Sequence, residues 1–277
     1  MGELSKREAA RLGQRFIWAL GIAAIPIGIL APLAPDWWEG KWWPVILVAI
    51  LAFVWGILGL VPGKPRHEYI SGVTIRLVVG DLFEQEASSV VGFTTTFDTS
   101  VPMIIAPTSV QAVLLEKVYG NSQARLDADL ATALARSTPT GRTISKAGNT
   151  VCYPLGSVAT LNLADGRHIY CAAYTEMNEH NNASGTIRSV LDGLDNSWEE
   201  ANRVGNGAPI CVPLIGQGQS RIPELTPEIA VRLIAFSFLL RTQRGRFASE
   251  LRIVLHPSDK HKVDFPEFQA FLRSLAS

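Results

Sequence analysis

Two stretches of the chain carry no charge: Phe16 to Ala34, 19 residues, and Pro44 to Gly63, 20 residues. At about 1.5 Å rise per residue, a helix of that length reaches about 30 Å, the thickness of a bilayer's hydrocarbon core. Between them, Pro35-Asp-Trp-Trp-Glu-Gly-Lys-Trp-Trp43 places four tryptophans in nine residues, a density suited to the headgroup level, where the ring is half wet. The pattern predicts an N-terminal two-helix transmembrane hairpin over residues 1–66, with spans at 16–34 and 44–62. Lys6, Arg7, Arg11 and Arg15 precede the first span and Lys64 and Arg66 follow the second, whereas the link holds only Lys41. The positive-inside rule then puts both termini in the cytoplasm. A cleaved signal peptide fits less well, because a second uncharged span follows at once and Pro35 would open the mature chain.

After residue 66 the periodicity changes. Val73 to Val79 alternates and is rich in β-branched residues, and Ser88 to Thr94 is a second strand candidate. Thr108 to Tyr119 reads as a helix, with Thr108 and Gln111 at capping-box spacing, and Ala124 to Ala135 reads as another. Ser157 to Leu163 and His168 to Tyr174 read as strands joined by a turn at Asp165-Gly166. Ile187, Val190, Leu191, Leu194 and Trp198 form an apolar stripe on a helix over Thr186 to Arg203. Ile210 to Ile215 is an apolar strand. Thr226 caps a helix with Pro227 in its first turn, running to Gln243, and Leu251 to His256 and Pro266 to Leu275 close the chain as strand and helix. Strands alternating with helices predict a mixed α/β layered domain over residues 67–277.

Composition sharpens this division. Six of the seven tryptophans lie before residue 56, and the mean hydropathy of +0.18 is high for a soluble protein. Formal net charge is zero, so no basic field points to nucleic acid. Three cysteines, Cys152, Cys171 and Cys211, are odd in number and widely spaced, which argues against a disulfide framework and for a reducing compartment. The cysteines lack C-x2-C spacing, the histidines lack H-x3-H spacing, and no G-x-S-x-G elbow occurs, so no metal site and no serine nucleophile are expected.

The candidate chemistry sits at strand ends. The strand from Ile210 empties into Gly216-Gln217-Gly218-Gln219-Ser220. A glycine-rich turn there can converge backbone N–H groups on an anion, although such glycines can equally serve only a tight turn. Asp81, after Gly80 at another strand end, could accept from an exocyclic amine or a ribose hydroxyl, or simply cap the next turn. Thr94-Thr-Thr-Phe-Asp-Thr99 gathers hydroxyls, an aromatic ring and a carboxylate. Phe97 could stack on a base or plug the local core.

Three segments together, Ile75-Arg-Leu-Val-Val-Gly-Asp-Leu82, Tyr153-Pro-Leu-Gly-Ser157 and Val212-Pro-Leu-Ile-Gly-Gln-Gly-Gln-Ser220, resemble the macro domain, an α/β fold that binds ADP-ribose. More narrowly, Gly80-Asp-Leu-Phe83, Phe97-Asp98-Thr99 and Pro213-Leu-Ile-Gly-Gln-Gly-Gln-Ser-Arg221 resemble the macro domain of Thoeris antiphage effectors, which in one branch follows two transmembrane helices. The resemblance implies a macro-like domain, a mixed sheet flanked by helices. It implies that Asp81 reads the adenine amine with the Leu82 backbone alongside. Gly216, Gln217, Gly218, Gln219 and Ser220 would cradle the pyrophosphate through backbone N–H groups, with Arg221 beside them among the ligand-binding residues. Thr95, Thr96, Phe97, Asp98 and Thr99 would lie near the distal ribose. Hydrolytic macro domains carry an Asn-rich segment where this chain has Thr-Thr-Thr-Phe-Asp-Thr, so the resemblance implies binding without turnover, no catalytic residue and no cofactor. The expected ligand is an ADP-ribose derivative, histidine-ADP-ribose, made from NAD by a partner TIR-domain enzyme. Ligand binding is expected to drive homo-oligomer formation and disruption of the lipid bilayer, killing the infected cell. The expected location is the bacterial inner membrane, multi-pass, with the macro-like domain in the cytoplasm. The alternatives are a membrane-tethered ADP-ribosyl hydrolase and a scaffold with a vestigial pocket.

Overall fold

The computed structural model describes residues 64–218 and 222–275, with eight isolated helical positions between 13 and 54. The chain divides into two units, Met1–Gly63 and Lys64–Ser277, and the architecture below is that of the second. In chain order its elements are β1 (Arg66–Glu68), β2 (Thr74–Val79), β3 (Ser88–Thr94), α1 (Val110–Lys117), α2 (Gln123–Leu134), β4 (Val158–Asn162), β5 (His168–Met177), β6 (Ala183–Gly185), α3 (Ile187–Val204), β7 (Ile210–Pro213), α4 (Pro227–Thr242), β8 (Glu250–Leu255) and α5 (Phe265–Ser274), with a 3₁₀ turn at Pro257–Lys262 after β8.

The strands form one mixed sheet in the order β1-β2-β8-β7-β3-β5-β4, with β6 added to the far end of β5. The five inner strands, β2, β8, β7, β3 and β5, are parallel to one another, and β1, β4 and β6 pair antiparallel at β2 and β5. Side chains alternate across a strand, so each inner strand feeds two cores. Ile75, Leu77, Tyr170, Ala172, Val212, Leu251 and Ile253 point to one face, which α3, α4 and α5 cover. Val91, Phe93, Ile169, Cys171, Cys211 and Val254 point to the other, covered by α1 and α2. Trp198, fully buried on α3, sets its ring edge-on to Phe238 of α4 at 5.5 Å and donates Nε1–H to Ser237 Oγ at 3.2 Å. This pair docks the two helices.

Local chemistry explains the helix starts. Thr226 Oγ1 accepts from Ile229 N with Pro227 in the first turn of α4, and Thr186 and Ser189 form a reciprocal capping box for α3. Helix α1 starts later than its sequence pattern predicts. Ser109, not Thr108, is its cap, with Oγ accepting from Ala112 N at 3.1 Å. All three cysteines are free and buried. Burial pushes the Cys211 thiol up to about 12, so that sulfur stays protonated and inert.

The expected hairpin falls almost wholly outside the described residues, as do most of the spans at 16–34 and 44–62 and all of the Trp-rich link. The expected location, a multi-pass inner-membrane protein with its macro-like domain in the cytoplasm, is overturned. Among the described residues no helix is long and apolar enough to cross a membrane. The physical reason is visible in the two longest described helices. Helix α3 has 18 residues but carries Arg188, Asp192, Asp195, Glu199, Glu200 and Arg203. Helix α4 is apolar but has only 16 residues, about 24 Å at 1.5 Å per residue.

Candidate functional site

Parallel strands bring their carboxyl ends to one edge of the sheet, where a crevice opens between the loops that leave it. Here that edge holds a cleft of about 310 Å³. Its base is Gly92, Phe93 and Thr94 of β3, Tyr174 and Thr175 of β5, Pro213 of β7 and Val254 of β8. Its walls come from residues 104–111, 177–183 and 214–218, with His256 and Asp259 beyond β8.

Gly92 is required by close approach. A Cβ built there would meet the Tyr174 ring at 2.1 Å, so any larger residue would drive that ring out of place. Gly216 is required by conformation as well as space, since its φ is +78° and a Cβ would lie 2.5 Å from Leu225 Cδ2. The Gln217 side-chain amide donates to the Leu225 carbonyl, which ties this loop to the start of α4. Gly218 differs, because among the described residues nothing lies within 4 Å of where its Cβ would stand. A ligand can therefore come against the backbone there.

The opposite wall brings the Ser109-capped start of α1, with Thr108, Ser109 and Gln111 lining the cleft. The amino end of a helix carries partial positive charge. Asn181 contributes an acceptor, because its Oδ1 is buried and has no hydrogen-bond partner among the described residues. Such a group is what a ligand hydroxyl or amine would satisfy. His256 is held by Ser258, whose backbone N–H lies 3.3 Å from Nδ1 and whose Oγ lies 2.7 Å from it. With Nδ1 accepting, the neutral ring carries its proton on Nε2.

The residues singled out in sequence are only partly brought together. Gly216, Gln217 and Gly218 line the cleft, while Gln219, Ser220 and Arg221 lie outside the described residues. Asp81 and Leu82 follow β2, and Gly80 N–H bonds to Leu255 O, which sets them beside the end of β8. Leu82 is buried in the core under α1. Asp81 is already engaged, with Oδ2 2.9 Å from Lys117 Nζ and Oδ1 accepting from Phe83 N at 2.8 Å. Partial burial pushes its carboxyl up, but hydrogen bonds from Lys117 and from the Phe83 and Glu84 N–H groups, with the Lys117 charge, hold it below the usual carboxylate range.

Thr95, Thr96, Phe97, Asp98 and Thr99 are all buried. Phe97 is the plug rather than the stacking platform. Its backbone sits at φ +50°, and its ring packs on Phe93 at 5.7 Å and edge-on to Tyr153 at 5.6 Å. Asp98 is occupied on both oxygens: Lys146 Nζ reaches them at 2.9 and 2.8 Å, Asn149 N–H at 2.8 Å, and Thr96 Oγ1–H at 2.6 Å. Thr99 Oγ1 donates to Asp127 Oδ1 at 2.5 Å. This loop is braced from behind, and its contribution to the cleft is Thr94 at the end of β3.

Sequence reasoning missed Tyr174, Asn181, His256, Asp259 and Lys146. Reading every strand end as Gly80-Asp81 was read would have found His256, one residue past β8. Lys146 carried no local signal, since its partner is 48 residues away. Among the described residues no group of His, Cys, Asp and Glu could hold a metal ion.

Comparison with known proteins completes the picture. The family model described as "Thoeris protein ThsA, Macro domain" matches residues 75–256. The Thoeris protein ThsA of Bacillus amyloliquefaciens (strain Y2) is 21% identical over 217 residues, 73% of this chain and 69% of that protein. Among solved structures, the Oceanobacillus iheyensis macrodomain with ADP is similar with TM-score 0.46 and 14% identity, over 77% of this chain and 96% of that one. The Trypanosoma brucei macrodomain in complex with ADP-ribose is similar with TM-score 0.46 and 11% identity, over 73% and 68%.

Proposed function

This chain belongs to the Thoeris protein ThsA macro-domain family, and we propose from that premise that its folded unit is the receptor of an ADP-ribose-type signal in an antiphage effector. The observation that carries the reading is the cleft at the carboxyl edge of the parallel strands. The Gly216–Gly218 backbone lies on one wall and the amino end of α1 on another, an arrangement suited to a pyrophosphate flanked by polar groups. The signal is ADP-ribose joined to histidine, supplied from NAD by a TIR-domain enzyme, and ligand binding favours self-association. A ligand drives such a change only as far as it binds the associated state more tightly.

The unit acts as a binder rather than a hydrolase. Hydrolysis needs a group free to activate water; the carboxylate within the Thr94–Thr99 loop, Asp98, already accepts from Lys146, Asn149 and Thr96, and Asp259 on the cleft wall is paired with Lys262. Equilibrium dialysis with histidine-linked ADP-ribose, followed by mass spectrometry of the retained ligand, tests this. The receptor reading expects the conjugate to be retained intact. Recovery of free ADP-ribose and histidine would make the protein an enzyme, and no retention would remove the ligand.

A further inference from the structure

Helix α4 has two apolar faces, and only one is used. Ala230, Val231, Ile234, Ala235 and Phe238 are buried in the core. Ile229, Phe236 and Leu240 are 40, 46 and 46% exposed, and Leu233 is only partly buried. Residues 229, 233, 236 and 240 are spaced four, three and four apart, the alternation of threes and fours that marks a helix–helix seam. The outer stripe therefore runs nearly straight along the helix, as a packing seam would.

Arg232 and Arg241 on α4 are paired with Glu267 and Glu199, and the remaining charges around the stripe are polarised along the helix. Glu224 and Glu228 stand at its amino end, and exposed Arg244 stands just beyond its carboxyl end. None of these three is in an ion pair among the described residues, although Asp195 feels the Arg244 charge. We infer that the outer stripe of α4 is the contact surface for a second copy of this chain, packed antiparallel about a two-fold axis. That arrangement is self-complementary. Leu233 faces the partner's Phe236, Ile229 faces the partner's Leu240, and the acidic end of each helix meets the basic end of the other. A parallel pair would instead set like charges together.

The inference rests on the proposed function and gives it a route. Gln217 and Gly216, on the cleft wall, touch Leu225, one residue before the Thr226 cap of α4. A ligand that orders the 216–218 loop thus acts on the segment that starts the contact helix. One helix seam is small beside the roughly 1,200–2,000 Å² buried in stable complexes, so the free protein associates weakly and the liganded protein more strongly.

The test uses the full chain carrying Phe236→Cys, treated with a short bis-maleimide. The native cysteines are buried, and residue 236 of an antiparallel pair lies close to its own copy. Ala128→Cys, exposed on α2 across the sheet, is the control. The inference expects covalent dimer from Phe236→Cys and far less from the control, with more dimer when histidine-linked ADP-ribose is added. Light scattering on Phe236→Arg, a surface change that spares the core, should show dimer association weakened about tenfold or more in affinity. Equal cross-linking at both positions, or unchanged association of Phe236→Arg, would overturn the interface. Dimer through α4 with no response to histidine-linked ADP-ribose would leave the interface standing and remove the ligand reading instead.

Discussion

Lys146 has no exposed side-chain surface and pairs with Asp98, which is 1% exposed, at 2.8 Å. Two charges taken out of water are costly, and their mutual attraction offsets this only with good geometry and further hydrogen bonds. Both conditions hold here, because Thr96 and Asn149 complete the shell around Asp98. Removing one partner leaves the other buried without its counter-charge. Lys146→Met is therefore expected to destabilise the folded unit by about 3–5 kcal/mol, read as a shift in urea midpoint at unchanged slope. A variant that unfolds with wild-type stability would show that the pair contributes nothing net. Asp98 was legible in sequence as part of a chemically rich loop, but its role was not. A carboxylate in a loop reads as a ligand group until the residue that neutralises it is known, and that residue arrives from a distant segment. Phe97 shows the same limit: the plug and the platform have one sequence signature, and only Phe93 and Tyr153 decide between them.

At the scale of elements, local signals translated well where a single segment fixes its own conformation. Thr226 before Pro227, Thr186 before an apolar stripe, and the Asp165-Gly166 turn each placed a boundary within a residue or two of the observed one. The three-residue strands β1 and β6 gave no such signal, because their pairing is dictated by β2 and β5 rather than by their own pattern. The loop after β7 separates glycine's two uses. Gly216→Ala puts a Cβ at φ +78° and against Leu225, with an expected loss of about 1–2 kcal/mol of stability from the left-handed backbone alone. Gly218→Ala meets nothing within 4 Å among the described residues, so its melting temperature should stay close to wild type while ADP-ribose affinity falls, because the methyl stands where a ligand would approach. Paired thermal-melt and binding measurements check both. Loss of stability in Gly218→Ala with normal binding would reverse the assignment.

At the scale of the whole folded unit, two layers of helices on a mostly parallel sheet leave one edge where strand ends and loop backbones converge. The order of strands and helices foretold that layering. What sequence could not show is which loops reach the edge together, since 104–111, 177–183 and the turn after β8 are far apart along the chain and carry no ligand-binding motif. The apolar length of the first 63 residues suggested a membrane protein, and among the described residues no helix supports that placement. The central claim is that the cleft is a receptor for ADP-ribose chemistry, and calorimetric titration of the full chain tests it most directly. The account predicts that histidine-linked ADP-ribose and ADP-ribose bind at one site per chain, with the conjugate tighter, and that Gly218→Ala weakens both. Heat from neither ligand, or binding that Gly218→Ala leaves untouched, would contradict it.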